Sequence, residues 1–570
     1  MCGIAGIINL KKGVCLNKVK VMLKKLKHRG PTTSEIWRHE NIALGCARLS
    51  MCDTANKKSV FTSKDGQIVL VYNGEISNYT DLKQKLVEHG HHFLTNNDAE
   101  IIIHLYEEQD CGFISYLDGM FAFCLVDLRK KTPRIILGRD HFGIKPLYIC
   151  KHNDEVVFSS EIRPILYYVP KQKLNMKAIS SYLNYRFIAN PLTPFENIEK
   201  LEPSHILIIN KTIRKKVYEP EYKPVNGSLY DILQQCVKRN LQADVPLGFF
   251  ISGGMDSGII ATLAANMNYK GLGFTIKYGN SSLNEDKYAS EISKKYPNIK
   301  NKYVDVCGNI NLPQIIDKVV QSLEEPIYST VSVSTYLLAR EARKYISGVL
   351  TGDGADELFM SYKYLASSYL DKKPIKAYKQ NIGWLSPEMK NLLFTNRTIF
   401  RRINLIPQKE NVIDVYRNFE IKYRLSDYHL LRLDKLTMAH SLESRVPFLS
   451  AYVLYYANQL NFHNILTDNE EKRLFKENFR HILPDAICNR SKQPFSAPYK
   501  DWIDTLLKDD ILKIFQDKVC CRRFSIKPEK LKYLITKNDK SYFEYTAIWG
   551  LYILFKWYKI YRKYVIADDY

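Results

Sequence analysis

Apolar and polar positions follow two regimes along the chain. Over the first two hundred residues, short apolar runs alternate with amphipathic stretches. Ile4 to Leu10 reads as a strand. Asn17 precedes Val19, Met22, Leu23 and Leu26, the spacing of one helix face, and His28-Arg29-Gly30-Pro31 closes it. Ile68 to Tyr72 is a continuous apolar run, read as a buried strand running into a turn at Asn73-Gly74-Glu75. Leu82, Leu86 and the stop at Gly90 mark a helix, and Ala99 to Glu108 marks another. Phe121 to Val126 and Ile135 to Leu137 read as further strands.

The pattern changes near residue 205. The basic, Pro-containing, weakly periodic stretch up to Gly227 reads as a linker, which puts the predicted units at 2–205 and 228–570. Beyond it, strand–loop–helix units take over. Leu247 to Ile251 predicts a strand, Gly258 to Met267 a helix, Gly271 to Ile276 a strand, Asp286 to Tyr296 a helix and Gly348 to Thr351 a strand. Such alternation predicts a parallel sheet covered by helices. After about residue 360 the pattern is mostly helical. The apolar stretch Ala547–Phe555 is too short to span a bilayer and is followed by Lys556, so it reads as a buried or interfacial helix.

Length and composition narrow the class. At 570 residues, 45% hydrophobic and 25% charged, the chain is a multi-domain globular protein and not a disordered one. The net charge of +23 is spread along the chain in short clusters, so neither a nucleic-acid-binding nor a membrane-binding block is predicted. The 12 cysteines form no CxxC pair, and no signal peptide precedes them. Reduced thiols and a cytoplasmic location are the expectation.

Two places carry chemistry. Cys2 follows the initiator Met, whose removal would give the thiol a free α-amine of near-neutral pKa as its own base. Ser252-Gly253-Gly254-Met255-Asp256-Ser257 lies between a predicted strand and a predicted helix. Its glycines let backbone approach a phosphate, and the helix N-terminus offers N–H donors. No Gly-Lys-Ser/Thr follows, so it is not a Walker A loop. Asp256 would not favour phosphate itself, which points to Mg²⁺ entering with the phosphates. A second loop, Thr351-Gly352-Asp353-Gly354-Ala355-Asp356-Glu357, sets three carboxylates among glycines, a spacing suited to Mg²⁺ or an ammonium group.

Motifs along the chain then fall into a known order. Cys2-Gly3-Ile4, His28-Arg29-Gly30-Pro31, Arg48-Leu49-Ser50, Asn73-Gly74-Glu75-Ile76 with Asn78, Asp98 with Glu100, and Phe142 to Tyr148 resemble the class II glutamine amidotransferases. Ser252 to Ser257 resembles the loop of ATP pyrophosphatases. With Met438 to Leu449 and Arg490 to Phe495, the whole resembles the glutamine-hydrolysing asparagine synthetases, from residue 2 to about 500. Thr32, Ser77, Met255 and Gly258 depart from the family pattern without removing a reactive group.

The resemblance implies α/β and α+β architecture: an N-terminal-nucleophile hydrolase sandwich, then a parallel-sheet ATP-pyrophosphatase domain with a helical C-terminal part. It implies Cys2 as nucleophile, and Asn73 with the Gly74 N–H as oxyanion donors. Arg48, Leu49, Ser50, Met51, Cys52, Glu75 and Asp98 would complete the glutamine site, with Arg48 on the substrate carboxylate. Ile251, Ser252, Gly253, Gly254, Asp256, Ser257, Ile276, Thr351 and Gly352 would bind ATP, with Asp256 the candidate Mg²⁺ ligand. Asp353 would support the adenylation step, Asp356 would meet the aspartate amine, and Lys492 would face the charge at phosphate. Asp427 and Asp434 are both candidates for a further family carboxylate. Glutamine, aspartate and Mg-ATP are the implied small-molecule partners, and a homodimer stays open. The alternative is a relative of the same build acting on another carboxylate.

Overall fold

The computed structural model describes all residues except Leu10, Lys12, Cys15, 222–226, 307–309, 408–410, Asn469, Lys492, Pro494 and 567–570. Among the described residues, twelve strands lie in the first 217 positions. They are β1 (Cys2–Asn9), β2 (Thr33–His39), β3 (Ile42–Arg48), β4 (Val60–Thr62), β5 (Ile68–Ile76), β6 (Gly119–Asp127), β7 (Arg134–Arg139), β8 (Tyr148–His152), β9 (Glu155–Ser159), β10 (Ile198–Lys200), β11 (His205–Ile209) and β12 (Ile213–Val217). They form two sheets, ordered β10-β8-β9-β1-β3-β2 and β12-β11-β7-β6-β5-β4. Ile4, Ile8, Leu44 and Cys46 of the first sheet meet Val69, Val71, Ala122 and Cys124 of the second in one apolar layer. Helices cover the outer faces: Leu16–Leu26 on the first sheet, and Tyr79–Glu88 with Ala99–Gln109 on the second.

Two expectations are corrected here. Asn73-Gly74-Glu75 is not a turn but the end of β5, in antiparallel register with β6 through Gly74 and Phe121. Glycine is required there because β6 comes so close: a Cβ on Gly74 would lie 2.2 Å from the Met120 carbonyl oxygen. The expected linker also starts too early. His205 to Val217 is a hairpin that extends the second sheet through β7. Its Arg214, Lys215 and Lys216 gave it a linker-like composition. They are the charged side chains of an edge strand, where unpaired backbone is protected by charge.

The second half is built on a parallel sheet: β13 (Leu247–Phe250), β14 (Gly271–Lys277), β15 (Ile299–Asp305), β16 (Gly348–Leu350) and β17 (Glu443–Arg445), in the order β15-β14-β13-β16-β17. From β13 the chain winds to one side through β14 and β15, then returns to place β16 on the other side. The strand order therefore reverses between β13 and β16. Crevices outside the carboxyl ends of strands at such a point are where α/β sheets bind ligands. The loops after these two strands are the glycine-rich loop at 251–254 and the acidic loop at 351–354.

The rest is helical, as the pattern predicts. Glu420–Leu430 is a π-helical stretch continuous with the α-helices Val412–Phe419 and Leu431–Met438. The Ala547–Phe555 run lies within the helix Tyr542–Tyr561, which is buried on nearly every side at its centre. Among the described residues, no helix is long and apolar enough to cross a membrane. The Cys520-Cys521 pair is packed, at 1% and 2% exposure.

A charged, buried interface joins the two halves. Arg29 pairs with Asp434 at 2.9 Å, and Lys200 with Glu325 at 2.8 Å and Asp427 at 3.3 Å. Glu324 takes both Lys435 and Arg163. Arg445 reaches Glu75 at 3.1 Å, and the Met1 ammonium reaches Glu443 at 2.6 Å. Both sequence candidates, Asp427 and Asp434, thus lie in this interface.

Candidate active sites

Cys2 opens β1, opposite Arg48 on β3. Its backbone N–H donates to Asn73 Oδ1 at 2.8 Å, which fixes the Asn73 side chain beside the thiol. Asn73 Nδ2 is buried and has no hydrogen-bond partner. A buried amide donor without a partner costs about 1–3 kcal/mol, so its retention beside a thiol points to an oxygen that arrives with a ligand. The Cys2 thiol is lowered to about 7. The largest cause is a hydrogen bond from Cys46; burial opposes it, and the N-terminal ammonium, Arg48 and the Leu49 backbone reinforce it. The Cys46 thiol is pushed well up in return.

Met1, Cys46, Leu49, Met51, Cys52, Gly74, Glu75, Asn97 and Asp98 surround Cys2 in a cavity of about 20 Å³. Asp98 Oδ2 is held by the Tyr72 hydroxyl at 2.7 Å and the Ile76 N–H at 2.8 Å. Burial raises Asp98, and it raises Glu75 to about 8 with Asp98 and Glu443 adding to it against Arg445. Glu443 goes the other way, to about 2: burial opposes ionisation, but the Met1 ammonium and Arg445 outweigh it.

Arg48 lines the same cavity but is already engaged, and Ser50 lies outside it. The Arg48 guanidinium is taken by carbonyls of the following loop: Asn56 at 2.6 Å, Lys58 at 2.7 Å, Cys52 at 2.8 Å and Asp53 at 3.3 Å. It shapes the loop over the pocket, and a carboxylate would have to share it. Ser50 is buried outside the cavity lining, with its N–H on Thr32 Oγ1.

The second cavity, about 450 Å³, opens at the strand-order reversal. Ile251, Ser252, Gly254, Asp256, Ser257, Ile276, Thr351, Gly352, Asp353 and Asp356 all line it. Gly253 does not. It takes φ +72°, packs toward Glu285, and gives its carbonyl to Arg490 at 2.8 Å. Gly352 is needed because a Cβ there would lie 2.7 Å from the Ser257 nitrogen. Thr351 Oγ1 is buried and unpartnered at the cavity wall. Lys492 lies outside the described residues.

Sequence reasoning missed Lys472. It stands in the left-handed region just before the helix Arg473–Phe479, and its buried ammonium bridges Asp256 at 2.5 Å and Asp356 at 3.0 Å. These carboxylates outweigh burial and hold its pKa above the ordinary lysine value. No motif marked it, since its partners are 216 and 116 positions away in sequence. The π-helical stretch and the helix after it add Arg424, His429 and Arg432 to the opposite wall. Arg432 Nε is buried without a hydrogen-bond partner. Burial and the two arginines push His429 well below its ordinary value, so it stays neutral.

A buried, activated thiol at the head of a two-sheet sandwich, on one chain with a glycine-rich loop under a parallel sheet, defines the class: an N-terminal-nucleophile amidotransferase sandwich joined to a phosphate-loop α/β unit. A family model described as glutamine amidotransferase domain matches residues 1–219, and one described as asparagine synthase matches residues 228–559. The chain belongs to the asparagine synthase family.

Asparagine synthetase (glutamine-hydrolyzing) 1 of Bacillus subtilis (strain 168) is 26% identical over 575 residues, covering 91% of this chain and 90% of that one. Asparagine synthetase (glutamine-hydrolyzing) 2 of the same organism is 31% identical over 546 residues, covering 87% and 72%. A putative asparagine synthetase (glutamine-hydrolyzing) 2 of Methanocaldococcus jannaschii is 31% identical over 412 residues, covering 65% and 77%.

Proposed function

We propose that this protein is a ligase that makes asparagine from aspartate, using glutamine as nitrogen donor and ATP as activator. Residues 1–219 act as the glutaminase and residues from 228 onward as the synthetase. The carrying observation is that both kinds of site occur in one chain and share a buried ionic wall.

In this reading Met1 is removed, and the Cys2 thiolate attacks the glutamine side-chain amide. Negative charge develops on the amide oxygen, where Asn73 Nδ2 and the Gly74 N–H would donate to it. Glu75 and Asp98 would receive the substrate ammonium, which would draw Glu75 back to its ionised form. Collapse of the tetrahedral adduct breaks the C–N bond, ammonia leaves with a proton carried by the Cys2 α-amine, and water then hydrolyses the thioester to glutamate. In the second cavity the aspartate β-carboxylate attacks the α-phosphorus of ATP and expels pyrophosphate. Ammonia displaces AMP from the resulting mixed anhydride. Lys472 would face the phosphates, Asp356 the aspartate amine and Arg432 its α-carboxylate. Ile251 and Ile276 would flank the adenine.

Asp256 and Asp356 converge on one cation, and one or two such carboxylates with substrate phosphates are the usual donor set for Mg²⁺. The ion would neutralise phosphate charge there; Lys472 and the loop N–H groups hold the phosphates in place.

The test is a product assay with glutamine, aspartate and Mg-ATP, beside Cys2→Ala and with ammonium in place of glutamine. Asparagine, AMP and pyrophosphate should appear in equal amounts. Cys2→Ala should lose about 10⁴-fold or more of the glutamine-dependent rate and keep the ammonium-dependent one. Glutamate without AMP would refute aspartate as acceptor.

A further inference from the structure

The helix Ala99–Gln109 begins at the glutamine pocket with Asp98 and runs outward. Its later turns carry a cluster that neither active site uses. His104 and Glu107 stand three residues apart on one helix face. His91 reaches them from the segment that follows the helix Tyr79–Glu88. His91 Nδ1 and His104 Nδ1 are 3.1 Å apart. Glu107 Oε2 is 3.1 Å from His104 Nδ1 and 3.7 Å from His91 Nδ1. Zinc bonds of about 2.0–2.2 Å in tetrahedral geometry put ligand atoms about 3.3–3.6 Å apart. The three atoms therefore already outline one face of a zinc tetrahedron. Among the described residues, this is the one group of three or more His, Cys, Asp or Glu donors that converges in this way.

The outer ring nitrogens supply a second, independent observation. His91 Nε2 lies 3.0 Å from Glu108 Oε1, and His104 Nε2 lies 3.5 Å from Glu100 Oε1. A carboxylate behind an imidazole keeps the proton on Nε2 and turns the Nδ1 lone pair toward a metal. Glu100 is itself fixed by the Leu94 and Thr95 N–H groups, at 2.6 and 2.8 Å, and by the Thr95 hydroxyl at 2.6 Å. The Phe93 ring packs edge-on against His104 with centroids 4.6 Å apart. The His91 ring is thus oriented by its Glu108 hydrogen bond, and the His104 ring by Phe93 and the nearby Glu100 charge, before any ion arrives. A proton on His104 Nδ1 meets both His91 Nδ1 and Glu107 Oε2, and Glu100 and Glu107 outweigh burial to raise His104 to about 9, so a metal ion takes the place of that proton and adds the third contact. Two imidazoles and one carboxylate suit Zn²⁺, while Mg²⁺ and Ca²⁺ prefer oxygen alone.

We propose that His91, His104 and Glu107 form a Zn²⁺ site, backed by Glu108 and Glu100, with water as the fourth ligand on the exposed side of Glu107. The ion ties residues 91–97 to the helix that follows them. That segment ends in Asn97, which with the adjoining Asp98 lines the glutamine pocket, so the ion acts as a structural staple for one wall of it.

The test uses the full chain, freed of metal by a chelator and titrated with ZnCl₂ and CoCl₂ against a chromophoric competitor. One Zn²⁺ per chain is expected, with the visible ligand-field band of tetrahedral Co²⁺ and a Zn²⁺-dependent rise in Tm. Glu108→Gln should weaken Zn²⁺ about ten- to hundredfold, and His91→Ala and Glu107→Gln more than that. His91 and Glu107 are partly exposed, so these variants should keep the circular dichroism of the parent. Cys2, Cys46 and Cys52 could take zinc themselves, so Cys2→Ala is titrated in parallel. Binding that survives His91→Ala and Glu107→Gln, or vanishes in Cys2→Ala, would overturn the proposal. So would a wild-type chain that takes up no stoichiometric ion.

Discussion

The cavity around Cys2 measures about 20 Å³ and the one around Asp256 about 450 Å³. The first is closed around its own groups: Arg48 is spent on loop carbonyls, Cys46 on the Cys2 thiol, and, before its removal, Met1 on Glu443. The Asn73 amide is left without a partner, to wait for a substrate oxygen. The second is held open by opposed charges, with Lys472 between two carboxylates and two arginines across from them. The difference follows from what each site has to retain. A site that liberates ammonia has to keep bulk solvent away while admitting one hydrolytic water, whereas one that joins ATP to an amino acid needs room and countercharge.

The sharpest way to break this contrast is through the wall the two sites share. Asp434→Ala would leave the buried Arg29 and Lys145 without that carboxylate, and should cost about 3–5 kcal/mol of stability in urea unfolding. Next comes the closed site itself. Asn73→Ala should lower glutamine-dependent kcat by about 10²–10³ while iodoacetamide still labels Cys2. In the open site, Lys472→Met leaves Asp256 and Asp356 facing each other. About 10- to 100-fold should be lost in kcat/KM for ATP, the scale of one charged hydrogen bond, with glutaminase turnover kept. The smallest effect is on pH. The hydrogen bond from Cys46 and the nearby Arg48 charge lower the Cys2 thiol, and only its thiolate attacks. Glutaminase kcat/KM should therefore rise with pH through the neutral range, as the thiol and then Glu75 ionise, and fall toward pH 5. A flat profile from pH 5 to 8 would mean that another group controls the step.

The reactive residues at the ends of strands were legible because they fall in short motifs: Cys2, Asn73-Gly74, the 252–257 loop and the 351–357 loop. The family resemblance, more than periodicity, joined them into sites. What stayed hidden came from long-range pairing. Lys472 has no local mark, because its meaning lies in two loops over a hundred residues away. Arg48 stood in the right motif, but its partners are carbonyls whose positions depend on the 52–58 loop. The β11–β12 hairpin looked like a linker because edge strands carry the same charges as linkers do. Strand β17 is Glu443-Ser444-Arg445, three polar residues that no hydrophobic pattern would mark as the border of a parallel sheet. They are buried because they face the other half of the chain.

That last feature bears on how such a chain can be recombined. The two family matches suggest parts that could be exchanged at residue 220. The charges say otherwise: Arg29 and Lys145 belong with Asp434, Lys200 with Glu325 and Asp427, and Glu75 with Arg445. A half grafted from a relative would have to bring matching partners for every one of these positions. At 26–31% identity most positions differ from these relatives, so a grafted half need not carry those partners, and exchange would have to move the pairs together.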